Sequence, residues 1–271
     1  MTSAGQHDTP SGMVKLQFNE YGTDGPPLIV LHGLFGSARN WAGHARSLSD
    51  THHVYALDLR NHGSSERAMT MTYAEMAEDV AGFITEQGLT DPIVMGHSMG
   101  GKVAMQLALS DPDSVKALIV VDIAPVTYGH DMLDYIAAME AMDLSGEMRR
   151  AELEEELRDQ VDDPGISAFL MTNLERAESG FQWRINLTAI SAGMSAIAAF
   201  TPPTRATYAH PSVFIAGSES SYIRDTHRER IKELFPKSRT VTIKDANHWV
   251  HADQPEAFLK TVNAFLGAVG R

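Results

Sequence analysis

The most restrictive feature of the chain is a short run around residue 98. Ile93, Val94 and Met95 are apolar enough to form a strand buried on both faces. They lead straight into Gly96-His97-Ser98-Met99-Gly100-Gly101. Val103, Leu107 and Ala108 then share one helical face before Pro112. A strand, a tight turn and a helix are therefore expected in immediate succession, the setting that thrusts a serine hydroxyl above the end of a sheet. Gly96 and Gly100 are part of the requirement, because such a turn is strained and leaves no room for a Cβ. A turn that merely caps a helix is the competing reading, and the rest of the chain decides against it.

Short aliphatic or β-branched runs alternate with stretches of helical period, which predicts a mostly parallel sheet with helices on both faces. Strands are expected over residues 14–21, 28–32, 54–59, 93–96, 117–122, 213–216 and 240–243. Thr72 and Glu75 form a capping box ahead of Met76, Val80, Phe83 and Ile84, predicting a helix over 72–87. The last helix opens near Asp253 and Pro255 and carries Phe258, Val262, Phe265 and Leu266 on one stripe. Between residues 127 and 205 the pattern is helical only, over 131–142, 147–161, 165–176 and 185–200, with no convincing strand. The expected organisation is α/β: a core of residues 12–126 and 206–271, a helical cap of residues 127–205 inserted between two strands, and a disordered lead-in of residues 1–11. Arg149 to Arg158 reads as a solvated helix face, since Glu and Arg recur three and four apart.

Composition removes several function classes. The formal net charge is −13, which argues against a nucleic-acid surface. There are no cysteines, so disulfides, thiolate metal sites, iron–sulfur clusters and a cysteine nucleophile are all ruled out. The polar N-terminus has no apolar core of a secretory signal, and no apolar run approaches the ~20 residues of a membrane span. A soluble, cytoplasmic protein without metal or cofactor is expected, with no membrane or nucleic-acid partner.

A serine hydroxyl needs an imidazole to take its proton and a carboxylate to orient that imidazole. In this architecture the base lies downstream of the serine, among His130, His210, His227, His248 and His251. Only His248 follows the last strand and precedes a helix. His251 has no His-Glu-x-x-His context for a metal and reads as a surface or supporting residue. Two backbone amides must meet the developing oxyanion. Met99, directly after the serine, supplies one. Leu34, in His32-Gly33-Leu34-Phe35-Gly36 after a buried strand, supplies the other. Asp58, Arg60 and Asn61 read as a loop pinned by an ion pair and turn hydrogen bonds, and Lys102 as a packing or salt-bridge lysine. Met132, Met139, Met142, Met171, Met194, Phe169, Phe181 and Trp183 suggest an apolar roof over the site, suited to an acyl group.

Together these residues resemble the α/β-hydrolase superfamily along nearly the whole chain after the lead-in. Within it, His32-Gly33-Leu34-Phe35-Gly36-Ser37, Asp58-Leu59-Arg60-Asn61-His62-Gly63, Gly96 to Lys102, Val121-Asp122-Ile123-Ala124-Pro125, Trp183-Arg184-Ile185-Asn186-Leu187 and Tyr222-Ile223 are similar to small YbfF-type bacterial esterases. The commoner superfamily acid follows the next-to-last strand, but that stretch here reads Gly217-Ser218-Glu219-Ser220-Ser221, with serine at the expected acid. The resemblance implies that the acid is Asp122, with Glu219 and Asp225 as alternatives. It further implies a serine esterase with an acyl-enzyme intermediate, acting on small-molecule carboxylic esters and on thioesters as a second acyl class. Phe35, Met171, Trp183 and Trp249 are the candidate substrate contacts. Carbon–carbon bond hydrolysis, cofactor-free peracid chemistry and a non-catalytic receptor are the rival readings. Halide displacement and epoxide opening on this scaffold need Asp as the nucleophile, and Ser98 stands there instead.

Overall fold

The computed structural model describes residues 12–129, 132–146 and 148–270. The expected lead-in and the candidate base His130 lie outside them. In chain order the strands are β1 (Phe18–Tyr21), β2 (Pro27–Leu31), β3 (His53–Leu57), β4 (Ile93–His97), β5 (Ala117–Val121), β6 (Leu174–Arg176), β7 (Phe181–Trp183), β8 (Ser212–Gly217) and β9 (Ser238–Ile243). The helices are α1 (Ala42–Leu48), α2 (Tyr73–Glu86), α3 (Met99–Ser110), α4 (Leu133–Ala141), α5 (Arg150–Gln160), α6 (Pro164–Met171), α7 (Leu187–Ala198), α8 (Arg228–Leu234), α9 (Val250–Asp253) and α10 (Pro255–Val269).

The main sheet runs β1-β3-β2-β4-β5-β8-β9, with β1 antiparallel to β3 and every other pair parallel. Strand alternation splits the core into two layers. Leu28, Val30, Met95 and Ile119 pack with Trp41 and with Phe258 of α10 on one side. Ile29, Leu31, Val94 and Val120 pack with α2 and α3 on the other. Each such buried aliphatic side chain contributes about 1.5–3 kcal/mol, so both layers are needed to hold the sheet. The predicted capping box closes α2: Thr72 N donates to Glu75 Oε2 at 2.9 Å and Glu75 N to Thr72 Oγ1 at 3.3 Å.

Two expectations change. The first strand is shorter than residues 14–21, because Val14 N, Lys15 N and Gln17 N donate to Asp79, Glu66 and Ser65 side chains instead of a neighbouring strand. The second concerns the segment between β5 and β8. Four helices form there, but so does the antiparallel hairpin β6–β7, where only helix was expected. The helix expected over 165–176 stops at Met171. Gly180, at φ +72 and with Leu144 O close by, makes the turn that pairs Leu174 with Trp183. In α5 the charged stretch is exposed as expected, through Arg149–Glu152 and Arg150–Glu154 pairs, while Leu153 and Leu157 are buried. Among the described residues no helix is long and apolar enough to cross a membrane.

Candidate active site

Ser98 stands between β4 and α3 at φ 52 and ψ −119, a costly conformation for a residue with a Cβ. A Cβ on Gly96 would lie 2.1 Å from Gly100 O, and one on Gly100 2.5 Å from His32 O. Both positions therefore require glycine. Ser98 N donates to Val121 O of β5 at 3.0 Å, which locks the turn to the neighbouring strand.

Asp122 follows β5 directly, at φ 50 and fully buried. Its Oδ1 accepts Gly217 N at 3.1 Å, while Oδ2 accepts Ser220 Oγ and meets His248 Nδ1 at 2.8 Å. A buried carboxylate is costly unless donors surround it, and here three do. His248 Nε2 lies 3.1 Å from Ser98 Oγ. With a carboxylate on Nδ1, that nitrogen carries the proton, which leaves the Nε2 lone pair for the Ser98 hydroxyl. The ring is stacked on Tyr222, with centroids 4.0 Å apart at 22°. His97 Nε2 donates to His248 O at 2.9 Å, so the turn carrying the serine grips the backbone of the loop carrying the imidazole.

Leu34 and Met99, whose amides are the expected donors, line one small cavity together with Ser98. Met99 opens α3, where first-turn amides lack intrahelical acceptors. In the turn after β2, Phe35 N donates to His62 Nε2 at 3.2 Å and Gly36 N to Gly33 O at 2.9 Å. Leu34 lies between them and lines the cavity above Ser98. His62 and His32 form the scaffold of this turn: His62 Nδ1 donates to Arg60 O, and His32 Nε2 accepts Leu59 N at 3.0 Å. Burial first, and then the neighbouring His32, push the His62 imidazole down to about 3. Each ring accepts a backbone N–H at Nε2, a role that requires the neutral imidazole, and burial lowers His32 as well.

The remaining candidates lie elsewhere. Glu219 is exposed beside Ser218, and Asp225 is exposed and paired with Arg228; neither touches His248. His210 sits near Asp113, and His227 caps the turn before α8. His251 is buried rather than superficial, stacked on Trp41 with centroids 4.4 Å apart. Burial, His44 and His248 lower it to about 3. Asp58 accepts backbone donors from Ala38 and Ser64, and the ion pair of this loop joins Arg60 to Asp79 of α2. Lys102 is a packing lysine. Its Nζ donates to Ala198 O and Ala199 O at 2.9 and 3.0 Å and lies over the Tyr73 and Tyr128 rings; no carboxylate among the described residues pairs with it.

A cavity of about 340 Å³ covers Ser98 and His248, roofed by Met132, Tyr135, Ile166 and Phe169 from the segment between β5 and β8. Phe35 and Trp249 line it. Met171 and Trp183 do not: Met171 is buried in the packing of the inserted helices, and Trp183 Nε1 donates to Met139 O. Tyr222 and His97 stand in the sequence only within the segments that carry the family resemblance, and neither residue type nor spacing assigns them a role.

Residues 26–255 match the family described as alpha/beta hydrolase fold, and the chain belongs to it. It is 36% identical over 274 residues to the mouse protein named sn-1-specific diacylglycerol lipase ABHD11, covering 97% of this chain and 89% of that one. To Esterase YbfF of Escherichia coli strain K12 it is 33% identical over 249 residues, 89% of this chain and 92% of that one. A solved structure described as a marine microorganism esterase superposes with a TM-score of 0.89 at 40% identity, covering 93% and 99% of the two chains.

Proposed function

We propose that the protein is a serine esterase in which Ser98 is the nucleophile, His248 the base and Asp122 the residue that orients it. The observation that carries this reading is the unbroken line from Ser98 Oγ to His248 Nε2 and from Nδ1 to Asp122 Oδ2, at 3.1 and 2.8 Å, on the floor of a largely apolar cavity. The names of the relatives support the ester-hydrolase class. Ser98 Oγ attacks the acyl carbonyl carbon as His248 Nε2 takes its proton. The carbonyl oxygen becomes an oxyanion held by the Leu34 and Met99 amides. When the tetrahedral intermediate collapses, the C–O bond to the alcohol breaks and Nε2 gives that oxygen the proton. Water then loses a proton to Nε2 and attacks the acyl-enzyme. Release of the acid returns the proton to Ser98. Thioesters pass through the same steps, with a thiol leaving.

No step calls for a metal or cofactor, and the cysteine-free composition suits a cytoplasmic enzyme. A chromogenic short-chain ester assay tests the reading. Turnover by the wild type that disappears in Ser98→Ala supports it; binding without turnover points to the receptor alternative and sinks it.

A further inference from the structure

Two cavities meet at Ser98. The larger, about 340 Å³, contains His248, Trp249, Phe169 and Tyr135 in its lining. The smaller, about 60 Å³, is walled by Met99, Lys102, Ile123, Met194 and Ile197. Leu34, Ser98, Met132 and Tyr222 line both. His248 lines only the larger and Met99 only the smaller, and that asymmetry fixes the orientation of a bound ester.

A tetrahedral carbon on Ser98 Oγ has three further substituents. The oxyanion points to the Leu34 and Met99 amides. The leaving oxygen must lie within hydrogen-bond reach of His248 Nε2, because that nitrogen delivers its proton. The leaving group therefore extends into the cavity that His248 lines. One direction remains for the acyl chain, the small cavity behind Met99. Tyr222, stacked on His248, lines both spaces, as Leu34 and Met132 do.

We propose that the small cavity receives the acyl chain and the large one the leaving alcohol, making the enzyme selective for esters of short, unbranched acids with bulky apolar alcohols. This rests on the serine-esterase reading above. The small cavity ends on Met194 and Ile197 of α7, which are buried, and on Lys102, which is fixed to Ala198 O and Ala199 O. At about 60 Å³ it leaves little room for a longer chain. The large cavity has Phe169 facing Trp249, with centroids 5.6 Å apart, a pair suited to an apolar or aromatic alcohol.

The experiment measures kcat/KM for p-nitrophenyl esters of acetic, butyric and octanoic acid, and for acetates of alcohols of rising size. It uses the wild type, Met194→Ala and Phe169→Ala. In the wild type, activity should fall about tenfold or more once the acyl chain outgrows the small cavity, the scale of misfit for even one methylene. Met194→Ala should raise the octanoyl-to-acetyl ratio about tenfold. Phe169→Ala should leave that ratio in place and change the ranking of the acetates. A wild type that prefers octanoyl over acetyl overturns the assignment. So does an acyl profile that moves with Phe169→Ala and not with Met194→Ala. If Met194→Ala fails to fold, the wild-type series and Phe169→Ala still decide. Failure of the wild type to hydrolyse any ester strikes the serine-esterase reading itself, an outcome distinct from a reversed chain-length profile.

Discussion

Ser220 Oγ donates to Oδ2 of Asp122, the oxygen that also meets His248 Nδ1 at 2.8 Å. The hydroxyl at the superfamily's commoner acid position thus touches the carboxylate from the neighbouring strand. If Asp122 orients His248, Asp122→Asn should fold yet lose about 10⁴ in kcat, the scale expected when a triad aspartate no longer selects the productive tautomer. Glu219→Gln should cost little, since an exposed carboxylate contributes only a screened field. Adding Ser220→Asp to Asp122→Asn should restore activity about tenfold, because the new carboxylate approaches the same imidazole nitrogen. Near-normal turnover by Asp122→Asn beside an inactive Glu219→Gln would overturn the assignment of the acid.

Ser98→Ala should remove about 10⁶ in kcat and leave the thermal unfolding transition nearly unchanged. The strained φ of 52 belongs to the turn between Gly96 and Gly100, and alanine keeps the same Cβ. Ester turnover and melting are measured on one preparation. Activity within tenfold of wild type eliminates Ser98 as the nucleophile.

Acid should destabilise the fold well before carboxylates titrate. Burial holds His62 and His251 at about 3, against an ordinary value of 6.5, and lowers His97 as well. Between those values the unfolded chain binds protons that the folded one does not. The stability contributed by these histidines is therefore complete above about pH 6.5 and lost as pH falls toward 3, by up to ~1.4 kcal/mol per pH unit for each group. Urea midpoints at pH 7.5 and 5 test this. His251→Phe should reduce the drop: it keeps the Trp41 stack and removes a buried Nδ1 that has no hydrogen-bond partner among the described residues. An equal drop in both proteins rules out the buried-histidine explanation.

Lys102 extends the same trend to alkaline pH. Burial lowers its ammonium from 10.5 to about 7. From pH 7 to about 10.5 the unfolded chain keeps a proton that the folded one releases, so this group makes stability rise with pH over that window. Melting temperatures at pH 6, 7.5 and 9 should rise in the wild type and flatten in Lys102→Met. If both proteins show the same slope, Lys102 does not titrate there.

Much of this was legible in the sequence. The main-sheet strands and the serine turn follow from aliphatic runs and glycine spacing, since buried parallel strands and a turn without Cβ space leave strong local signatures. The helices of α2 and α10 follow from caps and periodicity. The β6–β7 hairpin was not legible: strands of three residues show no period, and its marker is the Ser179-Gly180 turn alone. In the site, Ser98 and His248 announce themselves by context. By residue pattern alone Asp122 is like any strand-end aspartate, and only the family resemblance points to it; the packing of β5 beside β8 brings Gly217, Ser220 and His248 to it. The cavity wall was half legible, because an apolar residue in an inserted helix faces either its own neighbours, as Met171 does, or the void, as Phe169 does. Periodicity does not separate the two.

Chain order around the inserted segment sets when the chemistry can begin. Leu34, Ser98, Met99 and Asp122 all precede that segment, and His248 alone follows it, beyond β9. On the proposed roles, the nucleophile, both amides and the acid are synthesised before the base, and the line from Ser98 to Asp122 closes only once β9 has docked on β8 and the loop after it has carried His248 over the serine turn. On that reading, ester turnover would require the C-terminal elements to be made and folded.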